Sequence, residues 1–235
     1  MTVLDVPAAA RDLEEQPAEA ILRWAASHVG KLTFATGFGA EGCVVIDMIA
    51  RHGLAIDLFT LDTEVLFPET YALWRALESR YGVTIRAVRP AQTIAEQAIE
   101  HGGTLWERDP DRCCELRKVK PLRDALAGFD AWITAIRRDQ TPERANAQVV
   151  EHDRKFGLIK INPLVRWTHD EVWGYLYAHD VPYNALHDRG YPSIGCQPCT
   201  TAIVPGDNLR AGRWRGRHKR ECGLHADVAA VKKGA

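Results

Sequence analysis

The sequence predicts an α/β fold built on a doubly wound, mostly parallel sheet. Two observations predict it. Short apolar strands alternate with helices along most of the chain, and residues suited to holding an anion recur where those strands end. Residues 17–29 (PAEAILRWAASHV) read as a helix, with Pro17 in the first turn, Ile21, Leu22, Trp24 and Ala25 on one side and Gly30 as the stop. Residues 31–36 (KLTFAT) form a buried strand that runs into the glycine-rich turn Thr36-Gly37-Phe38-Gly39-Ala40-Glu41-Gly42 and an apolar helix over 43–52. A strand, a glycine turn and a helix N-terminus together offer free N–H groups and a favourable dipole to an anion. The pattern is neither the Rossmann fingerprint nor Walker A.

The same alternation continues. Residues 55–61 (AIDLFTL) form a second strand ending at Asp62-Thr63, where Asp62 either accepts from a ribose or caps the next turn. A helix runs from Pro68 to about Tyr81, a third strand covers 83–88, and a helix covers 94–101 before Gly102-Gly103. A helix over 119–127 becomes regular near Pro121, and a fourth strand over 131–136 ends at Arg137-Arg138. Residues 158–161 read as a fifth strand or edge piece. Thr168 to Glu171 is a capping box for a helix through Tyr177, and beyond Pro182 the chain is irregular. The glycine turn, Asp62 and the arginine pair all fall at strand carboxyl ends, where such sheets bind ligands.

At 235 residues, 46% hydrophobic and 26% charged, the chain suits one large soluble domain with an appended segment, divided here as 1–205 and a mobile basic segment over 206–235. No apolar run is of membrane-spanning length. Residues 1–16 show no basic region followed by an apolar one, so no signal peptide is expected and a cytoplasmic, reducing compartment is. A net charge of −1 exerts no overall pull on nucleic acid or membrane.

Four of the six cysteines stand in two pairs, the contiguous Cys113-Cys114 and Cys196-x-x-Cys199. Contiguous cysteines hardly close a disulfide on themselves, which leaves a metal or an iron–sulfur cluster. Cys-x-x-Cys also serves zinc and dithiol sites; adjacent ligands suit a polynuclear cluster better, since each thiolate can take its own iron. A four-iron cluster on four thiolates carries a charge of about minus two, so an anionic substrate nearby needs cations between. Arg112, Arg117 and Lys118 are placed to provide them, with Lys118 one helical turn beyond Cys114. Cys43, in an apolar run, reads as core.

Residues 210–220 (RAGRWRGRHKR) carry six cations and precede Glu221-Cys222-Gly223-Leu224-His225. A thiol flanked by Lys219, Arg220 and His225 is expected to have its pKa lowered from about 8.5, which makes Cys222 the candidate nucleophile. The arginines would hold an anionic substrate against it. Glycines at 206, 212 and 216 suggest a segment that opens and closes.

Taken in order, the glycine turn at 36–41, LDTEVLFPET at 61–70, CCELRKVKPL at 113–122, IRRDQT at 136–141, VPYNALHDRGYPSIGCQPCT at 181–200 and ECGLH at 221–225 resemble the assimilatory adenylylsulfate (APS) reductases, the cluster-containing branch of the APS/PAPS reductase family. The resemblance implies an adenine-nucleotide α-hydrolase-like fold of the PP-loop type. It implies a [4Fe-4S] cluster on Cys113, Cys114, Cys196 and Cys199 that tunes the site without changing its own redox state. Cys222 would attack the sulfur of APS, expel AMP and become S-sulfonated, and a separate thioredoxin would release sulfite. Substrate contacts are expected from Thr36, Gly37, Gly39, Leu61, Asp62, Thr63, Lys118, Arg137, Arg138, Arg210, Arg213 and His225, with neither membrane nor nucleic acid as partner. Oligomeric state is left open.

The chain departs from the family's usual pattern at Gly42, where Asp is common, at Thr36-Gly37, where Ser is common, and over Trp214 to Arg217. PAPS reductases share the fold and ECGLH but lack the cysteine pairs; use of PAPS, or of both nucleotides, stays open. The tRNA-thiolating enzymes of this fold use a Ser-Gly-Gly-x-Asp-Ser loop that residues 37–41 match poorly. A cluster-based sensor or nucleic-acid module would leave LDTEVLFPET and ECGLH unexplained.

Overall fold

The computed structural model describes residues 4–225, and its centre is a six-stranded sheet. The strands are β1 (Leu32–Thr36), β2 (Asp57–Leu61), β3 (Arg86–Val88), β4 (Ala131–Ile133), β5 (Val150–Asp153) and β6 (Leu158–Ile161), in the order β3-β2-β1-β4-β6-β5. All neighbours pair in parallel except β5, which runs antiparallel to β6 at one edge. The doubly wound sheet read from the sequence is therefore present. Residues 158–161 are an internal strand, and the edge belongs to β5, whose sequence VEHD has little strand character of its own. Antiparallel pairing with β6 supplies what propensity does not.

Alternate residues of each strand face opposite layers. Phe34, Leu58, Ile133 and Ile161 join the larger core with α2 (Ala18–His28), α3 (Ala40–Arg51), α4 (Pro68–Tyr81) and α9 (His169–Ala178). Their neighbours Phe59 and Trp132 point the other way, against Leu122 and Leu126 of α8 (Lys120–Leu126). The N-terminal stretch, featureless by composition, forms α1 (Val6–Leu13), capped by Asp5 and burying Val6, Ala9 and Leu13. The capping box at Thr168 forms as expected: the Glu171 amide donates to the Thr168 hydroxyl over 3.2 Å, and the Thr168 amide donates to the Glu171 carboxylate over 2.7 Å.

The cysteine pair ends a short helix, α7 (Pro110–Cys114), which passes into α8 through a π-helical turn over Glu115–Val119. The expected start of α8 at 119 is thereby shifted to Lys120. Widened turns of this kind recur at functional sites because they re-aim side chains without breaking the helix.

One buried acid ties the helices of the larger layer. Asp47 on α3 accepts from the Tyr81 hydroxyl at the end of α4 (2.8 Å) and from the Tyr175 hydroxyl on α9 (2.6 Å). Replacing it with alanine leaves two phenols without an acceptor, at about 1–3 kcal/mol for each unsatisfied group. Asp47→Ala is expected to lower unfolding stability by about 2–4 kcal/mol in urea titration, with Asp47→Asn losing less; equal midpoints for wild type and Asp47→Ala would remove this role.

Candidate active site

The glycine turn is held more firmly than its composition suggests. The Phe38 amide donates to the Thr36 hydroxyl over 3.1 Å, and Phe38, at a positive φ of 56°, is buried and stacked on Trp74 at 5.5 Å. A Cβ at Gly42 would come within 2.8 Å of the same Thr36 oxygen. Thr36 and Gly42 therefore fit each other, and a larger residue at 42 requires the hydroxyl to move.

Eleven of the expected substrate and catalytic residues line one cavity of about 330 Å³: Thr36, Gly37, Gly39, Leu61, Thr63, Lys118, Arg137, Arg210, Arg213, Cys222 and His225. Two do not. Asp62 is buried in the capping role, accepting from the Tyr71 hydroxyl (2.6 Å), the Glu64 amide (3.1 Å) and Arg89 (3.1 Å). Arg138 turns away from the cavity, donating to both carboxylate oxygens of Glu14 and to the Ala147 carbonyl. Its partner lies 124 residues away, so no local pattern separates it from Arg137.

The four paired cysteines line an adjoining closed space together with Arg117, Trp214 and Lys118. Lys118 borders both spaces. Among the described residues no group of three or more His, Cys, Asp or Glu side chains is arranged to hold a metal ion. The four thiols line one small shared space, and a sulfur-only donor set of this kind fits a metal ion or an iron–sulfur cluster. As free thiols they titrate unequally: burial pushes Cys113 up to about 11 and Cys114 up to about 12. Cys196 goes down, because Lys118, the Thr63 hydroxyl at 3.3 Å and Arg213 together outweigh its burial.

The loop bearing Cys196 is fastened on both sides. The Gln197 amide donates to the Val65 carbonyl over 2.8 Å, next to a bridge between Leu66 and Cys196. On the other side the Trp214 amide donates to the Cys199 carbonyl, the Thr201 amide to the Gly212 carbonyl, and Thr200 bridges Arg213. Gly212 lies so close to the Thr201 carbonyl that a Cβ would collide with backbone. That close approach requires a glycine at 212, while Gly206 and Gly216 adopt positive φ, at 92° and 78°.

The nucleophile's segment is docked by charge. Glu221 is paired with Arg144 at 2.9 Å and with Arg210 at 3.4 Å, and the Lys155 ammonium donates to the Gly223 carbonyl. Arg144 escapes a motif search because it meets Glu221 across 77 residues. Burial alone would raise the Glu221 pKa, but the two arginines hold it below the usual glutamate range. Residues 226–235 of the expected mobile segment lie outside the described residues.

The cations around Cys222 differ from those expected. Lys219 pairs with Asp111, and Arg220 offers Arg210 only its carbonyl. The His225 imidazole stacks on Trp132 at 5.6 Å and is held neutral, well below the usual histidine range, by burial and then by Arg144, Lys160, Arg210 and Lys155. The cations whose fields meet the Cys222 sulfur are Lys118 and Arg210. The Lys118 stem keeps some exposure while its ammonium is enclosed, and although burial favours the neutral amine, the sulfurs of Cys196, Cys222 and Cys114 push its pKa up.

The phosphoadenosine phosphosulfate reductase domain matches residues 31–202. The chain belongs to this family. Among curated relatives within the reductase family, the "Adenosine 5'-phosphosulfate reductase" of Bacillus velezensis is 47% identical over 207 residues, 87% of this chain and 89% of that protein. The protein of the same name from Salinibacter ruber is 48% identical over 209 residues, covering 88% and 83%. Among solved structures, the phosphoadenylyl-sulfate reductase of Candida auris in its phosphate complex superposes with a TM-score of 0.76 at 33% identity, covering 86% of this chain and 99% of that one. Yeast FAD synthetase shares the fold alone, at a TM-score of 0.54 and 14% identity over 86% and 70% of the two chains.

The neutral His225 gives the docked segment a pH dependence. Its docked pKa lies below the undocked value of about 6.5, so the undocked segment binds the extra proton as pH falls and docking weakens below about 6.5, by up to roughly tenfold per pH unit. The fluorescence difference between the protein and its Trp132→Phe variant should change between pH 7.5 and 5.5 in the parent and stay flat with His225→Phe. An equal change in both would assign the transition to another group.

Proposed function

We propose that this chain reduces APS to sulfite and AMP, an oxidoreductase reaction on a sulfur group in assimilatory sulfate reduction. Its similarity to relatives named adenosine 5'-phosphosulfate reductase supports the reading. The observation that carries it is that Cys222 stands in the wall of the same cavity as the glycine turn, Lys118, Arg210 and Arg213. A thiol facing a nucleotide-sized, cation-lined cavity suits attack on an anionic sulfur ester.

In this reading the phosphate lies towards the glycine turn and the sulfate towards Lys118 and the arginines. The thiolate of Cys222 attacks the sulfur, the bond from sulfur to the bridging oxygen breaks, and AMP leaves with the electron pair. Lys118 and the arginine forks compensate charge on the sulfonyl and phosphate oxygens, in an enclosed site where such contacts are worth more than in water. The product is an S-sulfocysteine. A reduced thioredoxin supplies the two electrons: one of its thiolates attacks the Cys222 sulfur, sulfite departs with the bonding pair, and the second thiol resolves the mixed disulfide.

Cys113, Cys114, Cys196 and Cys199 are the proposed ligands of a [4Fe-4S] cluster, and their sulfur-only donor set around a shared closed space supports this. When bound, the cluster supplies a fixed negative charge beside the site. Lys118 borders both spaces, so its ammonium would lie between that charge and the substrate's.

Anaerobically purified protein should release sulfite from APS only when thioredoxin is present, and Cys222→Ser should lose more than about a thousandfold in rate. PAPS turned over as fast as APS would widen the substrate assignment. No sulfite from either nucleotide, with all four ligand cysteines metal-loaded, would defeat the reductase reading.

A further inference from the structure

Arg213 borders the proposed sulfate end of the cavity with an unusual set of contacts. Its Nη1 donates weakly, to the Ser193 hydroxyl at 3.5 Å and the Ile194 carbonyl at 3.3 Å, and its guanidinium lies 4.5 Å from the centre of the Trp214 ring. Its Nε is buried and has no hydrogen-bond partner among the described residues. Nε and Nη2 form the edge of a guanidinium that makes two parallel bonds to an oxyanion. Arg213 lines the cavity, and its side-chain bonds among the described residues are no shorter than 3.3 Å, which leaves its guanidinium capacity for an oxyanion.

The guanidinium can occupy this place only because residue 195 has no side chain. A Cβ built there would fall 2.6 Å from Cζ and 3.0 Å from Nη1 of Arg213, and closer still to Nη2. The three atoms nearest to it all belong to that one side chain, so the space Gly195 leaves empty is the space the guanidinium fills. Gly195 is not among the residues at positive φ, so backbone conformation does not demand a glycine here. It also immediately precedes Cys196.

We infer that Gly195 is a positioning residue that sets the anion-binding edge of Arg213 against the substrate's sulfate. This inference rests on the reading of the cavity as an APS site. A methyl at 195 displaces the end of a flexible side chain rather than backbone, so the fold and the cysteine loop should survive while the guanidinium is lifted out of register. Loss of one charge-assisted bidentate contact should weaken binding about 10- to 100-fold, or about 1.4–2.8 kcal/mol.

The test is calorimetric binding in a Cys222→Ser background, which cannot complete the reaction. Gly195→Ala is expected to weaken APS binding about 10- to 100-fold while leaving adenosine, which lacks the anionic groups, within twofold. Arg213→Ala should show the same pattern, and the double variant should lose no more than either alone, because both remove one contact. A general structural effect would weaken adenosine equally and would overturn the inference, as would additive losses. If Gly195→Ala alone fails to fold, removing the clash with Arg213→Ala should restore a wild-type circular dichroism spectrum; failure to do so would also count against it. Absence of APS binding by Cys222→Ser itself would defeat the functional reading as well, whereas tight binding unaffected by Gly195→Ala would defeat this inference alone.

Discussion

The site depends on one cation placed among sulfurs. Five of the six cysteines and a cation-lined cavity are gathered into one region, and among the described residues only Lys118 borders both that cavity and the space between the paired cysteines. Burial by itself would drive a proton off its ammonium; the surrounding sulfurs reverse that. The π-helical turn over Glu115–Val119 makes the placement possible, because consecutive residues there serve two walls. Arg117 is fully buried on one side, donating to the Thr63 carbonyl over 2.8 Å, to Gln92 and Gln97, and to the Glu64 carboxylate. Lys118 reaches the cavity of Cys222 on the other. A buried guanidinium with this many acceptors is costly to disturb, so Lys118 is held by its neighbour as much as by its own contacts.

The second constraint is that the nucleophile arrives on a stretch without regular structure. Residues 206–225 contain no helix or strand, and their order comes from ion pairs and close backbone contacts. Gly212 against the Thr201 carbonyl and Trp214 against the Cys199 carbonyl bind the start of the segment to the cysteine loop. Glu221 between Arg144 and Arg210 binds its end to the loop after β4. Arg210, Arg213 and Cys222 thus share one arm, held by backbone contacts at the cysteine-loop end and by charge at the thiol end.

Much of the architecture was legible from local chemistry. Apolar runs bounded by glycine and proline located β1, β2 and the helices that follow them, and the Thr168 capping box located α9, because each signal lies within a few residues of what it specifies. The cysteine pairs and Cys222 stood out by residue type alone. What escaped was set by distant partners. β5 has a polar sequence and becomes a strand by pairing with β6. Arg137 and Arg138 are neighbours of the same type, yet one faces the cavity and the other meets Glu14 on the far side of the chain. The cations facing Cys222 were misjudged for the same reason: Lys219 and His225 are close in sequence, but Asp111 claims the first and Trp132 encloses the second.

The central claim is that Cys222 takes the sulfonate from the nucleotide before any reductant acts. Intact-mass analysis after mixing the protein with APS in the absence of thiols addresses it directly. One added sulfonate per chain is expected, mapped to Cys222, with a matching amount of AMP released and no adduct on Cys222→Ser. AMP release without a protein adduct, or an adduct on any other cysteine, would contradict it.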